Sequence, residues 1–342
     1  MKLTNLFSIN KKEKKTINND SNFKFSIAPM MDRTDTHFRN FMRLITKKTL
    51  LYTEMINVNS IIYGDQNKFL AESNTGNPLA LQIGISDTKL IPKLTKKLIN
   101  TTFSEININC GCPSNRVVNG KFGAILMKNP DLVGNIVYSL KNNTELPITV
   151  KTRIGVDNYD SEEFLYKFVE KCINNGVNKI IIHARKAILK GLTPHENRTI
   201  PPLNYMRVKK IKKTFNKHKI VINGGIMSIE KGKSLLDTFD GVMIGRAAWD
   251  NPWMFSVIDD QKISKIDILD KYLLYVGNKL DHGFSKTLLL KPIFNLFYGV
   301  NGSKMWKQQL SNYPAKYTTL QNLYNLAEKI ENSKFDGHKL LA

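Results

Sequence analysis

Asn107-Ile108-Asn109-Cys110-Gly111-Cys112-Pro113-Ser114 decides how this chain is read. It closes an apolar run, Glu105–Asn109, with two asparagines, then places a cysteine on a proline-marked turn. Polar side chains at the exit of an apolar strand are costly to bury unless something bonds them. A thiol beside such a turn suits an acid or a nucleophile.

The same arrangement recurs along the chain. Further β-rich runs lie at Phe23–Met30, Leu50–Met55, Leu79–Gly84, Ile148–Arg153, Lys179–Ala184, Ile220–Gly224 and Gly241–Gly245. Between them apolar residues recur at helical spacing, as in Phe38/Phe41/Met42/Ile45, Leu90/Leu94/Leu98, Leu132/Ile136/Leu140 and Phe164/Phe168/Cys172. Pro130, Asp160-Ser161 and Ser228 stand where helix starts are expected. Eight strands, each followed by a crossover segment, predict an α/β fold, a (β/α)8 TIM barrel. After Asp259 the pattern turns helical, at Ile263–Asp281, Lys286–Phe297, Ser303–Leu310 and Lys316–Ile330. The expected division is a basic arm over 1–22, a barrel over 23–260 and a helical domain over 261–342.

Alternate residues of a barrel strand face inward, and active sites lie at the C-terminal strand ends. That parity groups Ala80, Gln82 and Gly84; Asn107 and Asn109; Thr149, Lys151 and Arg153; Ile181, His183 and Arg185; and Val221, Asn223 and Gly225. Five successive strands thus send polar residues to one exit, either as a site or as a polar layer held by mutual hydrogen bonds. Lys151 and Arg153 call for an anion or for carboxylates, of which Glu54 is the main candidate. Asn223-Gly224-Gly225-Ile226 and Gly245-Arg246 close the last two strands, where glycines let a phosphate approach backbone N–H groups. Ala28-Pro29-Met30-Met31-Asp32 closes the first and would let a flat ring lie against backbone.

Composition narrows the class. The chain has 342 residues, is 42% hydrophobic and carries a formal charge of +22. No run of 18 apolar residues predicts a membrane span, and the Lys- and Asn-rich start lacks the apolar core of a signal peptide. That start is either a disordered arm touching a polyanionic partner or surplus. Three cysteines form no disulfide framework, and C-x-C alone is a weak zinc signal, so no metal is expected and a reducing cytoplasm is. The positive excess favours polyanionic partners. Part of it is drift in a Lys-, Asn- and Ile-rich chain.

These residues resemble the tRNA-dihydrouridine synthases, flavoenzymes that reduce uridine in tRNA. The similarity runs from about Phe25 to Leu310. It is carried by APMMDRTD (Ala28–Asp35), LLYTEM (Leu50–Met55), LALQIG (Leu79–Gly84), NINCGCPS (Asn107–Ser114), NGKFGAILM (Asn119–Met127), VKTRIG (Val150–Gly155), IIHARKA (Ile181–Ala187), INGGI (Ile222–Ile226) and MIGRAAWDNPW (Met243–Trp253). GLTPHENRTIPPL (Gly191–Leu203) is similar to the A subfamily, which acts on positions 20 and 20a of the D-loop.

The resemblance implies FMN at the barrel mouth, NADPH as reductant and a tRNA-binding helical domain. It puts Pro29, Met30 and Met31 beside the ring and Gln82, Lys151 and His183 on its polar edge. It gives the phosphate to Asn223, Gly224, Gly225, Gly245 and Arg246. Asn109 matches a residue facing flavin and target base, and Cys112 matches the catalytic cysteine. A thiol, ordinarily protonated near neutrality, can then act as general acid. His195, Arg198, Lys304 and Lys307 match positions that orient tRNA, although His195 stands where Lys or Arg is commoner. Cys110 replaces another small residue and is expected, like Cys172, in the core. No obligate protein partner is evident, and a monomer is expected. Two other readings remain at this point: an FMN barrel acting on a free pyrimidine-like molecule, and a non-catalytic RNA-binding barrel.

Overall fold

The alternation of strands and crossovers closes into a ring of eight parallel strands in a computed structural model that describes residues 23–259, 262–312 and 320–332. The strands are β1 (Phe25–Ile27), β2 (Thr49–Tyr52), β3 (Leu79–Gly84), β4 (Glu105–Cys110), β5 (Ile148–Arg153), β6 (Lys179–His183), β7 (Lys219–Asn223) and β8 (Gly241–Ile244). β1 pairs with β2 and β8, and β2 pairs with β3 through Leu51↔Leu79 and Tyr52↔Ala80, so no edge is left open. A two-residue strand, Ile56–Asn57, extends the ladder beside Ile83 and Gly84.

The strands are apolar on both sides because both sides are covered. Ile106, Ile108, Cys110, Val150, Ile180, Ile182, Ile220 and Ile222 face the helical shell, in one continuous core with residues such as Phe41, Leu94, Ile136 and Phe168. Inside the ring a second, smaller cluster holds Ala28, Leu50, Tyr52, Ala80, Ile181, Val221 and Met243. Cys110 and Cys172 are fully buried, as expected of small core residues.

The helix starts follow local chemistry. Pro130 is the first residue of Pro130–Asn143; Ser161 accepts from Phe164 N (3.0 Å) to cap Glu162–Asn174; Ser228 caps Ile229–Leu235. Each supplies or removes the need for an orphan N–H partner.

Several boundaries differ from the sequence pattern. β1 ends at Ile27 rather than Met30, because Pro29 has no N–H and Thr34 ties off Met30: Thr34 Oγ1 accepts from Met30 N (2.9 Å). β2 stops at Tyr52, where Thr53 turns its Oγ1 to receive Gln82 N (3.0 Å). The helix read over Lys286–Phe297 breaks at Pro292 into Lys286–Leu290 and the tighter turn Lys291–Asn295.

Beyond the barrel, Lys265–Asp281 starts on a reciprocal cap between Ser264 and Asp267 and packs against Thr36–Ile45. Tyr272 meets Phe41 edge-on (5.2 Å), and Tyr275 OH lies 2.7 Å from His37 Nδ1. Ser303–Ser311 is held by Trp306 Nε1 donating to Ile293 O (2.8 Å). Leu320–Asn332 buries Leu323, Ala327 and Ile330 in the same core. Among the described residues no helix is long and apolar enough to cross a membrane. The expected basic arm, 1–22, and the start of the last expected helix, 316–319, lie outside the described residues.

Candidate active site

Parity brings the polar residues together. Register pairs Gln82 with Asn107, Asn109 with Lys151, Arg153 with His183, His183 with Asn223 and Asn223 with Met243, so inward side chains stack in rings around the axis. Above them opens a cavity of about 970 Å³ at the C-terminal strand ends. Pro29, Met30, Met31, Gln82, Asn109, Cys112, Lys151, His183, Arg198, Asn223, Gly224, Gly225, Gly245 and Arg246 all line it. His195 does not; it stands exposed before the turn Glu196–Arg198. Lys304 and Lys307 sit on Ser303–Ser311, the first exposed and the second half-buried, also away from the cavity wall.

The Cys112 turn is built from its neighbours. Asn109 Oδ1 accepts from the backbone N–H groups of Gly111 (3.1 Å) and Cys112 (3.0 Å), and Ala124 N donates to Cys112 O (2.9 Å). Gly123 has φ +78°, and a Cβ there would come within 2.6 Å of Cys112 O and 2.4 Å of Val117 Cγ1. Gly123→Ala is therefore expected to displace the turn and cost about 1–3 kcal/mol, read from denaturant unfolding midpoints. Of the three cysteines only Cys112 is partly open. Burial pushes the other two thiols up, Cys172 to about 12.

The far wall is cationic. Lys151 Nζ donates to Asn223 Oδ1 (3.1 Å), while Asn223 Nδ2 donates to Met243 O (2.8 Å). Burial, aided by repulsion from Arg153, lowers the Lys151 pKa to about 7. Burial also drives His183 well below its ordinary value, with Arg153, Lys151, Arg185 and Arg198 adding to the effect, so its imidazole is neutral at pH 7. Arg185 and Arg198 are lowered by burial and by the charge of Arg246.

Arg153 departs from the sequence expectation of an anion partner. Its guanidinium is spent on three main-chain carbonyls, Gly111 O (2.9 Å), Lys186 O (3.0 Å) and Asn197 O (2.8 Å). It clamps the Cys112 turn to the loop after β6. Arg185 likewise turns to Thr199 O (3.2 Å) and to Pro201 O. Glu54 lines the cavity with Oε1 unpartnered and its pKa raised by burial.

The residues fit a flat phosphorylated ring. Gly224 and Gly225 have φ +110° and +67°, and a Cβ on either would fall within 2.5 Å of His183 Cδ2 or 2.4 Å of Leu203 Cδ1. That leaves a backbone cradle in the cavity that Arg198 and Arg33 also line, whose Nε and Nη1 atoms respectively are buried without partners. A dianionic group would satisfy both features.

The sequence reading missed the floor of the ring. Glu105, Tyr52, Thr149 and Lys179 join there, with Glu105 Oε2 2.6 Å from Lys179 Nζ. The signal was present: Glu105 shares parity with Asn107 and Asn109, and Lys179 with Ile181 and His183.

Comparison with known proteins agrees with this geometry. Residues 26–333 match the family described as dihydrouridine synthase (Dus). A tRNA-dihydrouridine(20/20a) synthase of Synechocystis sp. is 44% identical over 84% of this chain and 88% of its own length. Proteins of the same name from Shewanella oneidensis and Escherichia coli (strain K12) are 41% and 40% identical, covering 87% and 91% of this chain and 91% and 92% of theirs. Among solved structures, a 2-naphthoyl-CoA reductase complex superposes with a TM-score of 0.52 at 8% identity, over 69% of this chain and 49% of that one, a likeness of fold alone. With the fold, the mouth and these relatives in agreement, the chain belongs to the dihydrouridine synthase family.

Proposed function

We propose that this chain reduces uridine to 5,6-dihydrouridine in the D-loop of tRNA, at positions 20 and 20a, with FMN at the barrel mouth and NADPH as reductant. The observation that supports this most is the gathering of Gln82, Asn109, Cys112, Lys151, His183 and Asn223 on one cavity beside the Gly224–Gly225 backbone cradle and the guanidinium groups of Arg198 and Arg246. The names of the relatives supply the tRNA positions.

FMN, recharged by NADPH, would supply the hydride that reaches C6 of the base. Cys112 holds the proton for C5, so the C5=C6 bond gains one hydride and one proton and the thiolate is reprotonated from solvent. Lys151 would donate to the polar edge of the ring and steady negative charge there. Pro29, Met30 and Met31 form a small apolar wall against which a flat ring packs. Asn223, Gly224, Gly225, Gly245 and Arg246 would hold the phosphate. Asn109, next to Cys112, orients the base.

The target nucleotide must leave the folded RNA, at a cost of a few kcal/mol. Contacts from Arg198 at the mouth, and from His195, Lys304 and Lys307 outside it, would offset this through the phosphate backbone. A free pyrimidine would need none of them, so they favour tRNA over a small-molecule substrate.

Mass mapping of D-loop uridines, in tRNA from cells with and without the gene, tests the reading. Reduction is expected to disappear at 20 and 20a alone. Loss at 16 or 17 would move the specificity elsewhere, and a purified chain that stays colourless with added FMN would remove the flavin reading.

A further inference from the structure

A line of hydrogen bonds runs from the barrel floor to the reactive turn. Glu105 Oε1 accepts from Tyr52 OH (2.7 Å) and Thr149 Oγ1 (3.0 Å), and Oε2 from the Lys179 ammonium (2.6 Å). Thr149 Oγ1 accepts from Asn107 Nδ2 (2.8 Å), and Asn107 Oδ1 from Gln82 Nε2 (2.8 Å). Gln82 Oε1 accepts from Asn109 Nδ2 (2.9 Å), whose Oδ1 receives the N–H groups of Gly111 and Cys112. Glu105, Thr149, Asn107, Gln82 and Asn109 are all buried.

Amide oxygen and nitrogen have nearly the same outline, so the direction of such a line must come from groups that cannot exchange roles. There is one at each end. The carboxylate of Glu105 can only accept. The backbone N–H groups of Gly111 and Cys112 can only donate. Thr149 has a single proton, directed at Glu105, so its oxygen must accept from Asn107. Each amide above is then forced in turn, and reading down from Cys112 gives the same orientation.

We propose that Glu105 is a positioning residue, setting from the barrel floor which amide atoms of Gln82 and Asn109 meet a ligand and thereby holding the Cys112 turn. The proposal rests on the reading of Gln82 and Asn109 as flavin- and base-facing groups. In this orientation each keeps one N–H for a ligand, which suits the carbonyl oxygens along the edge of a pyrimidine-like ring.

Glu105→Gln reverses the logic. Lys179 can only donate, so it claims the new amide oxygen. The amide nitrogen then faces Thr149 and Tyr52 OH and donates to both. The Thr149 proton is released to turn to Asn107 or to Ile106 O (3.4 Å), and where it turns to Asn107 that amide and Gln82 turn over with it. At Asn109 the reversal stops, because two backbone N–H groups still hold its oxygen. The conflict falls on the Gln82–Asn109 pair, far from the substituted side chain.

The test uses the full chain as Glu105→Gln, Thr149→Val and Thr149→Ser. Thr149→Val cuts the line but leaves the Glu105–Lys179 pair; Thr149→Ser keeps the hydroxyl. FMN affinity is read by flavin fluorescence, and Cys112 by its rate of alkylation with iodoacetamide in flavin-free protein. Glu105→Gln and Thr149→Val are expected to weaken FMN by about tenfold, the scale of one mispaired buried amide, and to shift the alkylation rate. Thr149→Ser is expected to match the unsubstituted chain in both. Unchanged affinity and alkylation in Thr149→Val, or equal losses in Thr149→Ser, would overturn the proposal even if Glu105→Gln did not fold. Should the unsubstituted chain fail to bind FMN, the flavin reading falls, while the alkylation rates still decide the positioning claim.

Discussion

Cys112→Ala is expected to bind FMN and accept reducing equivalents from NADPH, yet to convert tRNA uridine about 10²–10⁴ times more slowly. The size follows from the loss of a positioned proton donor. Cys112 lines the cavity, and its main chain is fixed from two sides by Asn109 and Ala124. Cys110, two residues away, cannot substitute, because it points into the shell core with no exposure. Single-turnover oxidation of the reduced protein by tRNA separates the two half-reactions. The NADPH half should keep its rate and the tRNA half should lose it. Full turnover in the variant would assign the proton to another group.

Lys151→Met is expected to pull stability and function in opposite directions. The ammonium of Lys151 is disfavoured in the flavin-free fold, where burial lowers its pKa to about 7. In the unfolded chain a lysine titrates near 10.4. Between about pH 7 and 10.4 the unfolded chain therefore binds more protons, and this site makes stability rise with pH across that window. The penalty is complete below the folded value and absent above the unfolded one. Replacing the ammonium by a methionine should stabilise the flavin-free protein by about 1–2 kcal/mol at pH 6 and flatten this rise. The same change should weaken FMN by about tenfold or more, since a charge-assisted partner is lost. Thermal unfolding at a series of pH values, with and without FMN, reads both effects. A variant no more stable than the parent at pH 6 would mean that Lys151 carries no such penalty.

The two residues show which parts of the site are local. Cys112 was legible because Asn109, Cys112 and Pro113 lie within five positions of one another, on one strand exit. Lys151 was legible as an inward residue because strands alternate with period two, whatever surrounds them. What Lys151 faces was not legible, since Asn223 comes from a strand 72 residues later. Arg153 shows the cost of that ignorance. Its parity was read correctly, but its partners are carbonyls on a segment 33 to 44 residues away, and no anion is needed. The floor network was passed over for a similar reason. Glu105 and Lys179 stand at strand entrances, 74 residues apart, and neither looks unusual until the ring closes.

Order, direction and facing of the eight strands are set by short-range pattern, because side-chain alternation and the turn residues Pro, Gly, Asn and Ser act within a few positions. The closure of the ring, the sharing of charge among Lys151, Arg153, Arg185 and Arg198, and the one-way line from Glu105 to Cys112 belong to the tertiary structure alone. Each depends on which donor finds which acceptor across the barrel, and on how far water is kept from the groups between them. Burial and partnership are properties of the assembled ring, so a residue's charge state and amide orientation have no definite value until distant segments meet.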